Sequence, residues 1–358
     1  MGLCPGKTVS CWPDLPPELA GEILSRLLCQ TDRVNVGAVC RSWRLAAQHQ
    51  SSLLPSAMPW INLGRGRYQD LAGNGKVRRF ASPRGYRARA TYDGWVLYEH
   101  KLSYRCFLGE VPCQYDRPCR HDVVCGESDA LWTGCEYNPD VSGQARNFHG
   151  QTQLTNAMRI LSDKDIVFHH GKIFALSSKE NLFTYELDLG ETPLYQTCNT
   201  SRVEHVIKEG PAMATMANTR YVRRYLVTSS DKKKLLMVRW SIPWQMDRVM
   251  FDDCWAVDLQ VFEADLQKGR WSEVKDLGSQ VLVVGQTSSR ALVVAGSSDE
   301  RFRGNCVFLL GDHCPKLSYA VPSYCVFDMI SGEASLVSLS RCRGRTKFSK
   351  MSWFFPSE

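Results

Sequence analysis

The sequence predicts a mainly β protein, a six- or seven-bladed β-propeller preceded by a small three-helix module. Helical spacing of apolar residues is confined to residues 12–50. From Trp60 onward, short runs rich in β-branched and aromatic residues recur between turn residues, which is typical of antiparallel strands. About 300 residues of such strands are too many for one sandwich, whereas propeller blades of about 40 to 50 residues divide them into six or seven.

Composition divides the chain into four parts. Residues 1–11 predict a flexible N-terminus, residues 12–50 the helical module, residues 51–59 a linker, and residues 60–358 the β domain. The linker prediction depends on the Ser and Pro residues of 51–59, which cannot continue a helix. We therefore expect residues 60–358 to fold without the helical module.

Three short helices are expected between residues 12 and 50. The first begins at Pro16 or Pro17, where a missing backbone N–H costs nothing. Its apolar stripe consists of Leu19, Ile23, Leu24 and Leu27. Thr31 is the expected N-cap of a second helix that carries Val34. The apolar positions assigned to the third helix are Val39, Cys40 and Trp43.

The order of these residues resembles an F-box, which runs L-P-x-E-L, then I-L-x-x-L, then V-C-R-x-W. The resemblance implies docking onto the Skp-type adaptor and, through it, onto the cullin and RING subunits of a ubiquitin ligase. The residues implied for this contact and for the small core behind it are Leu15, Pro16, Leu19, Ile23, Leu24, Leu27, Val34, Val39, Cys40 and Trp43. The alternative is a plain three-helix bundle whose apolar stripe is only its own core.

Seven blocks of the β domain are similar, in sequence and in order, to the KIB-type β-propeller of plant F-box proteins. They are PWINLG, YDGWVLYEH, DIVFHHGKIFALSSKENLFTYEL, VFEADLQKGRWSEVKDLGSQVLVVG, GNCVFLLGD, VFDMISG and WFFP. The resemblance implies a substrate receptor of an SCF-type ligase and names no particular target. Residues 105–159 depart from the family, and a functional loop and a diverged, inserted or mis-spliced segment both stay open.

Composition also excludes several classes of partner and location. No apolar run reaches the roughly 18 residues that a membrane helix needs, and the N-terminal stretch has no apolar segment of signal-peptide length. We expect no membrane partner, and a location in the cytoplasm and/or nucleus. The net charge is +7, with eight basic and three acidic residues between positions 61 and 100. No nucleic-acid-binding motif accompanies them, so we interpret them as solvated loops and strand edges.

The cysteines and the motif search predict neither a metal site nor an active site. Fifteen cysteines in a large chain without a signal indicate reduced thiols. One group could supply zinc ligands, but it has no C-x-x-C pair to form the usual turn. That group is Cys106, Cys113, Cys119, His121, Cys125, Cys135 and His149. No G-x-S-x-G, H-E-x-x-H or phosphate-loop motif is present.

Two pairs of residues that could bind a metal ion have simpler explanations. His169 and His170 precede a turn glycine and are expected to cap strand ends, and Asp252 and Asp253 read as a solvated turn. We expect no catalysis by this chain and no cofactor. The second function that the sequence leaves open is a propeller that binds a ligand or acts as an enzyme outside ubiquitin ligation.

Overall fold

The computed structural model describes residues 15–64, 66–72, 75–80, 86–92, 95–100, 106–110, 120–121, 165–191, 196–211, 220–243, 258–294, 302–310, 323–339 and 351–356. This part of the chain contains three α-helices followed by strands. The helices are α1 (Pro17–Arg26), α2 (Gln30–Val39) and α3 (Arg41–Gln50), and a 3-10 turn (Ser51–Leu53) follows them.

The helix boundaries confirm one expectation and correct two. α1 has Pro17 in its first turn, as expected for a residue without an N–H. The N-cap of α2 is Cys29 and not Thr31, because the Cys29 carbonyl accepts the N–H groups of Asp32 and Arg33. Val39 ends α2 instead of opening the third helix, since Cys40 is extended with φ −156° and caps α3.

The predicted linker is only partly a surface segment. Residues 51–56 are exposed or half-buried, whereas Ala57, Met58 and Pro59 are buried. Met58 belongs to the same buried apolar cluster as Ile61 and Trp353. The last three residues of the span are therefore buried, and Met58 lies in the core of the β domain.

The described strands form five sheets. Sheet 1 has the order β21-β1-β2-β3, with β1 (Trp60–Gly64), β2 (Arg67–Asp70), β3 (Val77–Arg79) and β21 (Ser352–Phe354). Sheet 2 is β4 (Tyr86–Tyr92), β5 (Trp95–His100), β6 (Cys106–Glu110) and β7 (Arg120–His121). Sheet 3 is β8 (Ile166–His169), β9 (Lys172–Leu176), β10 (Leu182–Glu191) and β11 (Gln196–Ile207).

Two further sheets complete the described set. Sheet 4 is β12 (Arg220–Thr228), β13 (Leu235–Pro243), β14 (Asp258–Asp265) and β15 (Arg270–Val274). Sheet 5 has the order β17-β16-β18-β19-β20, from β16 (Gln280–Val284), β17 (Arg290–Val293), β18 (Cys306–Leu310), β19 (Ser323–Asp328) and β20 (Ala334–Ser338). Neighbouring strands are antiparallel except for β16 and β18, which are parallel.

This architecture confirms the mainly β prediction and corrects one strand. The β-rich run from Tyr92 to Tyr98, which the sequence alone favours as one strand, belongs to two strands, β4 and β5, paired from Tyr86↔His100 to Tyr92↔Trp95. Four-stranded meanders such as sheets 3 and 4 are the repeating unit of a propeller. Five sheets are present among the described residues, so the number of six or seven blades stays a prediction.

The sheets pack face to face in series. One buried cluster joins sheet 5 to sheet 1 and contains Ile61, Phe308 and Trp353. A second cluster joins sheet 4 to sheet 5, and a third joins sheet 3 to sheet 4. Sheets 4 and 5 are therefore each covered on both faces by a neighbouring sheet.

The first and last described strands close the series by pairing with each other. The partners are Trp60↔Phe354, Ile61↔Trp353 and Asn62↔Ser352. The Trp353 side chain is completely buried, and its indole N–H donates to the carbonyl of Val284 in sheet 5 at 2.8 Å. A Cβ on Gly285 would lie 2.8 Å from Cδ1 of Trp353, so this position needs glycine for the indole to fit.

We predict that Trp353→Ala lowers the free energy of unfolding by about 3 to 5 kcal/mol, because it leaves a cavity and removes the donor to Val284. Urea unfolding followed by circular dichroism would measure the loss. Ile330→Ala is the control, since Ile330 is 80% exposed and its truncation should stay within about 0.5 kcal/mol of wild type. Equal stability of the two variants would contradict the closing role of Trp353.

Candidate partner-binding surface

The ten residues predicted for partner binding divide into three groups by burial. Pro16, Leu19 and Val39 are exposed, Leu19 by 52% and Val39 by 66%. Leu24 is completely buried, at 0% exposure. The remaining residues are half-buried, namely Leu15, Ile23, Leu27, Val34, Cys40 and Trp43.

The two sides of α1 explain this division. Ala20 and Leu24 are four residues apart, share one face, and are buried where α1 packs on α3. Leu19 and Ile23 repeat at the same spacing on another face, which leaves Leu19 exposed and Ile23 half-buried, and Leu15 is half-buried just before the helix. The structure thus brings Leu19 and Ile23 into one strip on α1 and places Leu24 in the helical core.

The helices are held in place by polar contacts at their ends as well as by packing. Arg33 is 7% exposed, and its Nε donates to the Leu27 carbonyl at the end of α1 at 2.8 Å. Arg44 Nε donates to the Gly37 carbonyl at 3.2 Å, which ties α3 to α2. These contacts fix the strip on α1 relative to the end of α2.

Two further exposed apolar residues were not singled out from the sequence. Leu45 on α3 is 47% exposed and Leu53 in the 3-10 turn is 76% exposed. Their only signal is an apolar residue next to polar ones, which is common on any surface. Among the described side chains, three of the nine large exposed apolar residues lie in the helical module, namely Leu19, Val39 and Leu45, and Leu53 follows directly after it.

The seam between sheets 3 and 4 contains a cluster of buried charges. Glu180 is 2% exposed, and its two carboxylate oxygens accept from Arg224 Nε at 2.7 Å and Arg239 at 2.9 Å. Its carbonyl accepts the indole N–H of Trp271 at 2.8 Å. Gly210 is required beside it, since a Cβ there would lie 2.7 Å from Cβ of Glu180. Because both carboxylate oxygens are engaged by guanidinium groups, we assign this cluster a structural role.

A surface cavity of about 440 Å³ adjoins this cluster and is lined by residues 206, 208–211 and 269–271. Lys208, Glu209 and Arg270 give it charge of both signs, and the buried Trp271 forms part of its wall. The arrangement brings no nucleophile and base together, so it defines no reaction.

Asp165, the residue just before β8, is a second carboxyl at this seam and is half-buried. Its Oδ1 accepts the N–H of Ile166 and its Oδ2 accepts the N–H of Leu226 in sheet 4 at 2.7 Å. Burial raises the pKa of Asp165 from the ordinary 3.8 to about 7, although both N–H groups oppose the shift. Both oxygens serve the backbone, so this carboxyl also joins the two sheets.

His169 and His170 lie at the turn after β8, as expected from the sequence. Burial, and to a smaller extent His170, lowers the pKa of His169, and the two rings pack with centroids 4.1 Å apart. Within the described ranges, no group of three or more His, Cys, Asp or Glu side chains could hold a metal ion.

Several expectations fall outside the described residues. They concern Cys113, Cys119, Cys125, Cys135, His149, Asp252 and Asp253. The expected absence of zinc therefore stays a prediction. None of the helices in the described part has the length and hydropathy needed to cross a membrane.

A three-helix module followed by packed four-stranded sheets defines an F-box-like domain on a β-propeller, and comparison with protein families agrees. An F-box-like family model matches residues 12–53, and the KIB1-4 beta-propeller model matches residues 69–328. The second match covers most of the chain, so the protein belongs to the KIB1-4 β-propeller family.

Two other comparisons do not extend this family assignment. A search of curated proteins finds no match. Among solved structures, the chain is similar to the β-propeller domain of Cps50 (Swd1) from Myceliophteria thermophila, with 12% identity and a TM-score of 0.18. That similarity covers 79% of this chain and 67% of the other.

We predict that Asp165 makes stability depend on pH near neutrality. A pKa raised in the folded state gives stability that is fully present below the ordinary pKa and is lost as pH rises through about 7. The contribution falls by about 1.4 kcal/mol per pH unit at most. Asp165→Asn, which cannot ionise, should remove this slope when urea unfolding is compared between pH values of about 5 and 8.

Asp276→Asn is the control, since Asp276 is an exposed turn carboxyl that accepts the nearby N–H of Gly278. It should follow the wild-type pH profile. Parallel profiles for wild type and Asp165→Asn would show that Asp165 is not the titrating group.

Proposed function

We propose that this protein is the substrate-receptor subunit of an SCF-type ubiquitin ligase. Its F-box-like domain binds a Skp-type adaptor, and loops of its propeller recruit a target protein. Cullin and RING subunits join through the adaptor, in the cytoplasm and/or nucleus. Catalysis belongs to the ligase partners, and this chain supplies proximity between target and enzyme.

The observation that supports the adaptor contact best is the concentration of exposed apolar side chains in the helical module. Leu19, Val39 and Leu45 in the helices, and Leu53 in the 3-10 turn that follows, are between 47% and 76% exposed. Exposed apolar residues concentrated in one short part of a chain favour an interaction site there. F-box domains generally bind Skp-type adaptors, so the F-box-like match over residues 12–53 supports this kind of partner.

The burial pattern separates contact from support within the predicted site. We assign direct contact to the accessible residues of the set, namely Leu15, Pro16, Leu19, Ile23, Leu27 and Val39. Leu24 is completely buried and supports the strip from inside. Val34, Cys40 and Trp43 are half-buried and contribute to both core and contact.

The decisive experiment changes the two most exposed residues of the predicted set. Burying one Leu or Val side chain contributes about 1.5 to 3 kcal/mol, so Leu19→Glu with Val39→Glu should weaken adaptor binding by about 100-fold or more. Titration calorimetry with a purified Skp-type adaptor measures the affinity. Leu15→Ala with Pro16→Ala should also abolish adaptor pull-down.

Ile330→Glu is the matched control, because Ile330 is an even more accessible apolar residue on the hairpin between β19 and β20. It should bind adaptor as wild type does, and all variants should keep the wild-type melting temperature of the propeller. Absence of adaptor binding by wild type, or of cullin in native complexes, would refute the proposal and favour a propeller that acts outside ubiquitin ligation.

A further inference from the structure

The corner between α1 and α2 is built into the first sheet of the propeller. Leu28, at this corner, is 8% exposed and belongs to the same buried cluster as Met58, Ile61 and Leu71. Its carbonyl also accepts the backbone N–H of Met58 at 2.9 Å. The chain therefore returns to the α1–α2 corner before it enters β1.

Cys29 makes a second and different contact with the same sheet. Its thiol donates a hydrogen bond to Oδ2 of Asp70, the last residue of β2. Both residues are buried, at 5% and 3% exposure, and the other oxygen of Asp70 accepts the N–H of Ala72. Since Cys29 also caps α2, one residue fixes the start of that helix and its place on the propeller.

These contacts leave the other side of the helical module open. Leu19 and Val39 remain exposed, whereas the corner of Leu28 and Cys29 is covered by the protein itself. The surface that accepts an outside partner and the surface that meets the propeller are thus formed by different residues.

We propose that Leu28, Cys29, Met58 and Asp70 are positioning residues that hold the F-box-like domain on sheet 1 in one orientation. The inference rests on the proposed function for its consequence, which is that adaptor and target are presented at a fixed separation and angle. A flexible tether would let the two sites sample many separations, so a seated domain makes proximity more effective.

The native cysteines provide a direct test. Cleavage by trypsin after Arg26, Arg33 and Arg41 gives peptides 27–33 and 34–41, which contain Cys29 and Cys40 as their single cysteines. Cys40 is half-buried and serves as the internal reference. The rate of alkylation by iodoacetamide at about pH 8 can be followed for both peptides by mass spectrometry in the intact protein.

Wild-type Cys29 should react about 100-fold more slowly than Cys40, or slower still. Burial and the Asp70 carboxylate raise the pKa of the Cys29 thiol from 9.0 to about 12, so both access and the reactive thiolate are reduced. Comparable rates at the two cysteines in the native protein would overturn the proposal. Both should react alike in guanidinium chloride.

Changes on the propeller side separate the junction from the stability of the helices. Met58→Ala should raise the alkylation rate of Cys29 at least about 10-fold relative to that of Cys40. The truncation removes part of the side chain packed at the junction, so the junction opens more often and exposes Cys29. Met237→Ala is the matched control, because Met237 is equally buried but lies in the core between sheets 3 and 4. Equal effects of the two variants would refute a specific junction.

Asp70→Ala provides a second variant should Met58→Ala fail to fold, since it removes the acceptor for Cys29 and takes away fewer apolar atoms. It should likewise raise the Cys29 rate, and an unchanged rate would count against the junction. Neither variant touches the exposed strip, so adaptor affinity should stay within about 3-fold of wild type.

Addition of saturating Skp-type adaptor distinguishes failure of this inference from failure of the proposed function. Cys29 should stay protected from alkylation in the complex. Faster alkylation of Cys29 on adaptor binding would show that the helical module separates from sheet 1. Leu19→Glu with Val39→Glu should lose adaptor while keeping Cys29 protected. Protection without any adaptor binding would support the junction and refute only the proposed function.

Discussion

The pairing of β21 with β1 is the constraint on which the rest of the structure depends. A sheet with apolar residues on both faces must be covered on both sides, and a series of such sheets satisfies this only by closing on itself. Here closure joins strands from the two ends of the described chain, from Trp60↔Phe354 to Asn62↔Ser352. Sheet 1 thereby holds the ring and, through Met58 and Asp70, also carries the helical module.

The seam between sheets 3 and 4 is joined by buried charge in addition to apolar packing. Glu180 adopts φ 65°, a conformation that costs a residue with a side chain, and it is held there by Arg224, Arg239 and Trp271. Buried ion pairs add little net stability compared with apolar residues of the same volume. Their hydrogen bonds do require one relative placement of the partners, so we interpret the cluster as fixing how sheet 3 meets sheet 4.

The strands were predictable wherever apolar runs are bounded by turn residues, as in Ile166–His169 and Cys306–Leu310. Prediction failed at Tyr86–Tyr92, because alternating Arg and Ala give a weak apolar signal there. The start of α2 was also missed, since Thr31 is the better capping residue by type. Cys29 takes that position because its thiol is held by Asp70, a partner 41 residues away that no local pattern reveals.

The same limit applies to the candidate site, where three leucines of α1 and the corner after it have three different roles. Leu19, Leu24 and Leu28 follow one another along or just after α1 and are chemically identical, so spacing alone cannot separate them. The first is exposed, the second lies in the helical core, and the third enters the core of sheet 1. The role of each leucine depends on the neighbour that its side chain meets, which is α3 for Leu24 and the propeller for Leu28. A small domain that uses a second domain to bury part of its apolar surface gains stability that its own size could not provide. It also keeps its remaining apolar residues in a fixed direction, which the receptor function proposed above would require.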